Sequence, residues 1–125
     1  MTQSLAQQRA KDALSKIEKL VQDNDYGNYK SYVSGLPAEI IMSGLGQAMA
    51  LVRSKSGKNG NPQLYEHLNS WLCSDRPNSP YPKGDLIRQI VNGDEAHFIH
   101  AQEEAMAYLE WLKKFAVALL ADGKE

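Results

Sequence analysis

The chain has 125 residues, 42% of them hydrophobic and 23% charged, with a formal net charge of −1. That is enough for one buried core in a single domain spanning residues 1–125. It is too ordinary a mixture for a disordered chain, and too neutral for a global basic field, so nucleic-acid binding would need a local basic patch. One cysteine, Cys73, rules out an intrachain disulfide. With no apolar signal core in Met1 to Arg9 and no run of about 18 apolar residues, the expected setting is the cytoplasm, away from membranes.

The period is helical throughout, and no internal repeat or low-complexity tract is present. Ala10, Ala13, Leu14, Ile17, Leu20 and Val21 form one apolar stripe on a first helix from about Ser4 to Gln22. Its other face, with Arg9, Lys11, Asp12, Lys16, Glu18 and Lys19, reads as solvated. Asp23, Asn24 and Asp25 end it and could cap the next helix. A second piece holds Tyr29, Tyr32 and Val33. Gly35, Leu36 and Pro37 are expected to break it, with Pro37 opening a new piece that carries Ile40 and Ile41. Ser43 and Gly44 either kink that piece or separate it from another running to about Arg53. Gly44, Gly46, Ala48 and Ala50 present little bulk. A glycine inside a helix costs about 1 kcal/mol relative to alanine, and close approach of another backbone is the simplest reason for such residues.

Residues 54–61 read as a loop rich in glycine and serine. Pro62 then opens a helix with Leu64, Tyr65, Leu68, Trp71 and Leu72. The three prolines between Ser74 and Pro82 mark another loop. A short helix from about Gly84 turns Leu86, Ile87, Ile90 and Val91 inward, and Asp94 is placed to cap a last helix from Glu95 to Ala121, with Gly123 beyond its end. At about 1.5 Å per residue that helix would be roughly 40 Å long, more than a small bundle needs, so part of it is available to a partner. Strand alternation and hairpin dipeptides are missing. The expected fold is all-α, a compact bundle of five to seven helices with a long C-terminal helix.

Catalytic and metal motifs are weak. His97 and His100 lie at i, i+3 and Glu104 one turn beyond, with His67 on another helix. A zinc site needs three or four converging ligands, and neither an HExxH pattern nor a cysteine pair is present. The plainer reading is an i, i+4 hydrogen bond between His100 and Glu104. The Gly57–Lys58 pair fails as a phosphate loop, because position 52 is Val and position 59 is Asn. Adjacent carboxylates such as Glu103 and Glu104 point about 100° apart on a helix and read as a solvated face. Cys73, beside Trp71 and Leu72, reads as a core or edge thiol.

The basic residues are more informative. Arg53, Lys55 and Lys58 fall within six positions, and no acid lies between Glu39 and Glu66. Lys113 and Lys114 sit on the last helix. Such clusters hold phosphates without regard to sequence. The aromatic residues coincide with or flank the apolar stripes, which favours core packing or a protein interface over base stacking.

Taken in order, these features resemble the small helical subunit of Cmr, the type III-B CRISPR RNA-targeting effector complex. The resemblance runs from the amphipathic helix at Gln8, Arg9 and Ala10 through Tyr29, then Leu36 and Pro37 with Ile40. It continues through Gly44, Leu45, Gly46, Gln47 and Ala48 to Ser54 and Lys55. It ends on Tyr65, Leu68, Trp71 and Leu72, then Glu104 and Ala105 ahead of Trp111 to Ala116. The resemblance implies an all-helical, non-catalytic subunit without cofactor or metal, in antiviral defence. Copies would stack beside crRNA-bound backbone subunits and line a groove for target RNA. Cleavage would belong to the backbone subunit, and signalling or DNA chemistry to the large subunit. Expected partners are those subunits, further copies of the chain, crRNA and target RNA. Charge placement assigns the RNA-backbone contacts to Arg53, Lys55, Lys58, Lys113 and Lys114, and the crowding of small and aromatic residues on the two helical stretches assigns the subunit interface to Gly44, Gly46, Tyr108, Trp111 and Phe115. The alternatives are a helical protein-interaction adaptor with no nucleic-acid role, and a small metal-dependent enzyme built on His67, His97 and His100.

Overall fold

The computed structural model describes residues 2–24, 26–55 and 62–121. Among these residues six helices follow one another: α1 (Leu5–Asp23), α2 (Tyr29–Ser43), α3 (Leu45–Ser54), α4 (Gln63–Leu72), α5 (Leu86–Asn92) and α6 (Glu95–Leu119). Among the described residues there is no strand, only an isolated parallel bridge between Cys73 and Tyr81. The fold is all-α with a long C-terminal helix. None of these helices is long and apolar enough to cross a membrane.

Local chemistry explains most boundaries. Ser4 caps α1 in a reciprocal box: its Oγ accepts from the Gln7 backbone N–H at 3.1 Å, and Gln7 Oε1 accepts from the Ser4 N–H at 2.9 Å. Asn24, left-handed at φ 53°, ends the helix and returns its N–H to the Leu20 carbonyl. Asp85 and Asp94 cap α5 and α6 through the backbone N–H groups of Arg88 and His97. The N-cap of α2 is Asn28 rather than an aspartate, and Asp25 and Gly123 lie outside the described residues.

The expected break at Gly35 to Pro37 does not occur. α2 runs through Pro37 and stops at Gly44. Pro37 has no N–H to give the Val33 carbonyl, a loss that ordinarily costs about 3 kcal/mol. Burial outweighs it, because Tyr29, Val33, Leu36 and Ile40 all face the core on one line of α2. Gly44 is the real hinge. Its φ of 86° and ψ of 158° belong to a region that only glycine occupies comfortably, and there the chain turns from α2 into α3.

α6 is the axis of the bundle. Arg9 and Lys16 of α1 reach Glu104 and Tyr108 of α6, so α1 runs parallel to α6. Lys30 of α2 reaches the Leu120 carbonyl while the Leu45 N–H, beyond the other end of α2, reaches Gln102, so α2 runs antiparallel. Ala101, Ala105, Leu109, Leu112 and Ala116 bury the inner stripe of α6 against Ile17, Leu36, Leu45, Leu64 and Leu68 of the other helices, in one continuous cluster. The inner stripe of α1 narrows to Ala13, Ile17 and Leu20, leaving Val21 exposed. Val91 of α5 points outward at 75% exposure, against the inward position expected for it.

Candidate nucleic-acid interface

The basic residues expected to touch RNA fall on two helices. Arg53 lies in the last turn of α3, and its guanidinium is already engaged. It lies 3.1 Å from the Asp85 carboxylate and over the Tyr65 ring, 4.6 Å from the centroid. Asp85 in turn accepts from Tyr65 Oη at 3.0 Å and caps α5. Arg53 therefore ties α3 to α4 and α5, although at 52% exposure its outer edge still faces water. Lys55 caps α3 with its Nζ over the Tyr32 ring of α2, 5.5 Å from the centroid. Lys58 lies outside the described residues. Lys113 and Lys114 stand exposed on α6, and Lys114 is 3.5 Å from Glu110, one turn back. The structure thus gathers Arg53 and Lys55 at one end of α3 and leaves the lysine pair on a different helix.

The residues expected at a subunit interface divide in the same way. Tyr108 is fully buried, which takes it off any surface. It stacks on Trp71 at 4.9 Å with the rings nearly parallel, and its hydroxyl donates to the Asp12 carboxylate while accepting from Lys16 Nζ at 2.8 Å. Gly46 is also used within the chain: a Cβ there would stand 3.4 Å from Ile90 of α5. Gly44 is needed for its backbone angle. Trp111 and Phe115 remain half-buried on the flank of α6, their rings 5.7 Å apart.

The family described as CRISPR-associated protein (Cas_Cmr5) matches residues 5–119, from the start of α1 to the end of α6. The chain belongs to the Cas_Cmr5 family. One relative, the CRISPR system Cmr subunit Cmr5 of Thermus thermophilus, is 26% identical over 113 residues, which span 90% of this chain and 93% of the relative.

In this Cas_Cmr5 chain His67, Asp12 and Glu104 tie helices of the bundle together. Glu104, read from the sequence as solvated, is 5% exposed. It receives Arg9 through two bonds of 2.7 and 2.9 Å and the Trp71 indole N–H at 2.8 Å, and leaves His100 exposed. Burial pushes its pKa up, but the hydrogen bonds from Arg9 and Trp71 and the charges of Arg9 and Arg76 more than reverse that. Arg76, from the loop after α4, lies over Trp71 at 3.5 Å and donates to its carbonyl. Asp12 and Lys16, also read as solvated, form a second cluster with Tyr108, and Lys16 donates to the His67 carbonyl at 3.2 Å. His67 shares a 2.7 Å hydrogen bond with Tyr29, and burial, with Lys16 nearby, lowers its pKa to about 3. His97 pairs with Asp94, its own helix cap. No group of three His, Cys, Asp or Glu side chains among the described residues is placed to hold a metal ion. Cys73 is buried and its thiol is pushed up to about 11. A signal for the Glu104 cluster was present in the sequence: Glu104 stands in the stripe of Ala101, Ala105 and Tyr108, where a carboxylate needs a buried partner.

Proposed function

We propose that this chain is the non-catalytic small subunit of a cytoplasmic type III-B CRISPR Cmr effector complex. In this reading it stacks on further copies of itself beside the backbone and large subunits, and touches crRNA or target RNA through phosphate contacts. The observation that carries the proposal is the match to the Cas_Cmr5 family along all six helices. Arg53 and Lys55, at the end of α3 next to the segment that holds Lys58, supply the first phosphate contacts, and Lys113 and Lys114 supply the second. Stacking is supported by apolar side chains left in water at both ends of the α2–α6 pair. Ile41, Met42, Val91 and Ile99 stand at one end, and Val21, Val117 and Leu119 at the other. Two different faces that meet head to tail build an open filament rather than a closed dimer. Trp111 and Phe115 add a lateral apolar patch for a neighbouring subunit.

The test is fluorescence anisotropy with single-stranded RNA across a salt titration. The parent should bind weakly, in the range of about 10⁻⁴–10⁻⁶ M expected for non-specific contacts, and lose affinity as salt rises. Replacing Arg53, Lys55 and Lys58 together by Ala should lower both the affinity and the salt slope. Equal binding by the triple variant would remove the site assignment. Co-purification of the tagged chain from its host with unrelated proteins and no RNA would favour the adaptor reading, to which Ile41 and Met42, 74% and 82% exposed, also lend themselves.

A further inference from the structure

We propose that the groove between α2 and α3 is a subsite for one unstacked nucleobase of single-stranded RNA, with the adjoining phosphate held by Lys55. This rests on the RNA-contact reading above and adds base recognition to what would otherwise be backbone contacts alone.

The groove is half-open, holds about 210 Å³, and is lined by Tyr32, Gly35 and Leu36 from α2 and by Leu51, Val52 and Lys55 from α3. Glu39 and Ala48 line its other end. Tyr32 and Glu39 are seven residues apart on α2, about 10 Å at about 1.5 Å per residue, which matches the span of one nucleotide from phosphate to the far edge of its base.

Gly35 has no structural reason of its own to be glycine. Gly44 needs its positive φ and Gly46 packs against Ile90, but a Cβ at position 35 would meet nothing within 4 Å. Inside a helix that glycine costs about 1 kcal/mol relative to alanine. Its effect is to keep the groove floor low beside Tyr32. Leu51 on the opposite wall is 40% exposed and gains by being covered.

The groove's polar groups suit a nucleotide better than an apolar side chain. Lys55 stands at the Tyr32 end, and no carboxylate among the described residues pairs with it. Lys55 Nζ lies over the Tyr32 ring, 5.5 Å from its centroid, and a phosphate that draws it aside uncovers the ring for the base to stack. At the far end Glu39 Oε2 accepts from Ser43 Oγ at 3.0 Å, which leaves Oε1 to accept from an exocyclic amine. Adenine, cytosine and guanine carry that amine and uracil does not.

The experiment uses the full chain with short fluorescein-labelled oligoadenylate, oligouridylate and an abasic strand of equal length. Anisotropy is read across a salt titration for the parent, Gly35→Leu and Tyr32→Ala, with circular dichroism to confirm folding. Leucine is the better helix former, so Gly35→Leu fills the groove without weakening α2. The parent should prefer oligoadenylate. Either variant should weaken oligoadenylate binding roughly tenfold, the loss of one base–aromatic stack, and bring it to the level of the abasic strand with the salt slope unchanged. Unaltered affinity in both variants would overturn the subsite and leave the backbone contacts standing. Absence of any salt-dependent binding by the parent would overturn the subsite and the RNA reading together. Unchanged RNA affinity with loss of a co-purifying Cmr subunit from Gly35→Leu would make the groove a protein-docking site and overturn the proposal.

Discussion

Glu104 is the clearest case of a single residue whose role depends on its neighbours. With Arg9 on two bonds and the Trp71 indole on a third, its carboxylate satisfies donors from α1 and α4. Glu104→Ala would leave the half-buried Arg9 and the buried Trp71 N–H without an acceptor, at a cost of about 3 kcal/mol, read as a fall in the urea midpoint. The pH dependence follows from the same bonds. Folding holds the Glu104 pKa below its ordinary 4.5, so its contribution is fully present above pH 4.5 and is lost as pH falls through the lower folded value. His67 acts earlier. Its pKa drops from 6.5 to about 3 on folding, so between those values the unfolded chain takes up a proton that the native chain refuses. Stability should therefore begin to fall below pH 6.5, and His67→Gln should flatten the profile between pH 6.5 and pH 4.5 in urea titrations. The sequence made the Asp94 cap and a core or edge place for Cys73 legible, because each depends on residues within a turn or two. It left Glu104 reading as solvated, because its partners Arg9 and Trp71 lie 95 and 33 residues away.

At the scale of elements, α2 shows packing overriding a local breaker. Pro37 forfeits one backbone hydrogen bond, yet the helix passes through it because four buried side chains share one line. The conformational demand lies at Gly44. Gly44→Ala should cost about 1–3 kcal/mol, because an L side chain is strained at φ 86° and ψ 158°, and the loss should appear as a lower melting temperature. Pro37→Ala should instead raise the melting temperature by restoring a donor to Val33; a fall would mean that proline's restriction of the unfolded chain matters more. Reading a break at Gly35 to Pro37 in addition to the one at Ser43 and Gly44 is the natural error, since either glycine suits a helix end and backbone angles are not visible in a sequence. The other helices were readable because apolar spacing and caps agreed.

For the whole molecule, the directions of α1 and α2 along α6 decide which surfaces are left over. They leave Ile41 and Met42 exposed towards one end and Leu119 with Val21 towards the other. If these faces stack, sedimentation velocity of the full chain should show mass rising with concentration, and Ile41→Glu with Met42→Glu should hold it monomeric without lowering its melting temperature. Concentration-independent mass in the parent would remove the stacking contact.

By itself the sequence determined the helical class, most helix ends and most of the core. Apolar periodicity and capping are local, written within a few turns of each residue. Only the tertiary structure decided that Arg9, Asp12, Lys16 and Glu104 turn inward, that Tyr108 leaves the surface, and that Arg53 is tied to Asp85 while Lys55 pairs with no carboxylate among the described residues. Those outcomes depend on which helix lies beside which and in what direction. Packing of the whole core sets that; local spacing puts Glu104 on the inner stripe of α6 but does not say which partners meet it there.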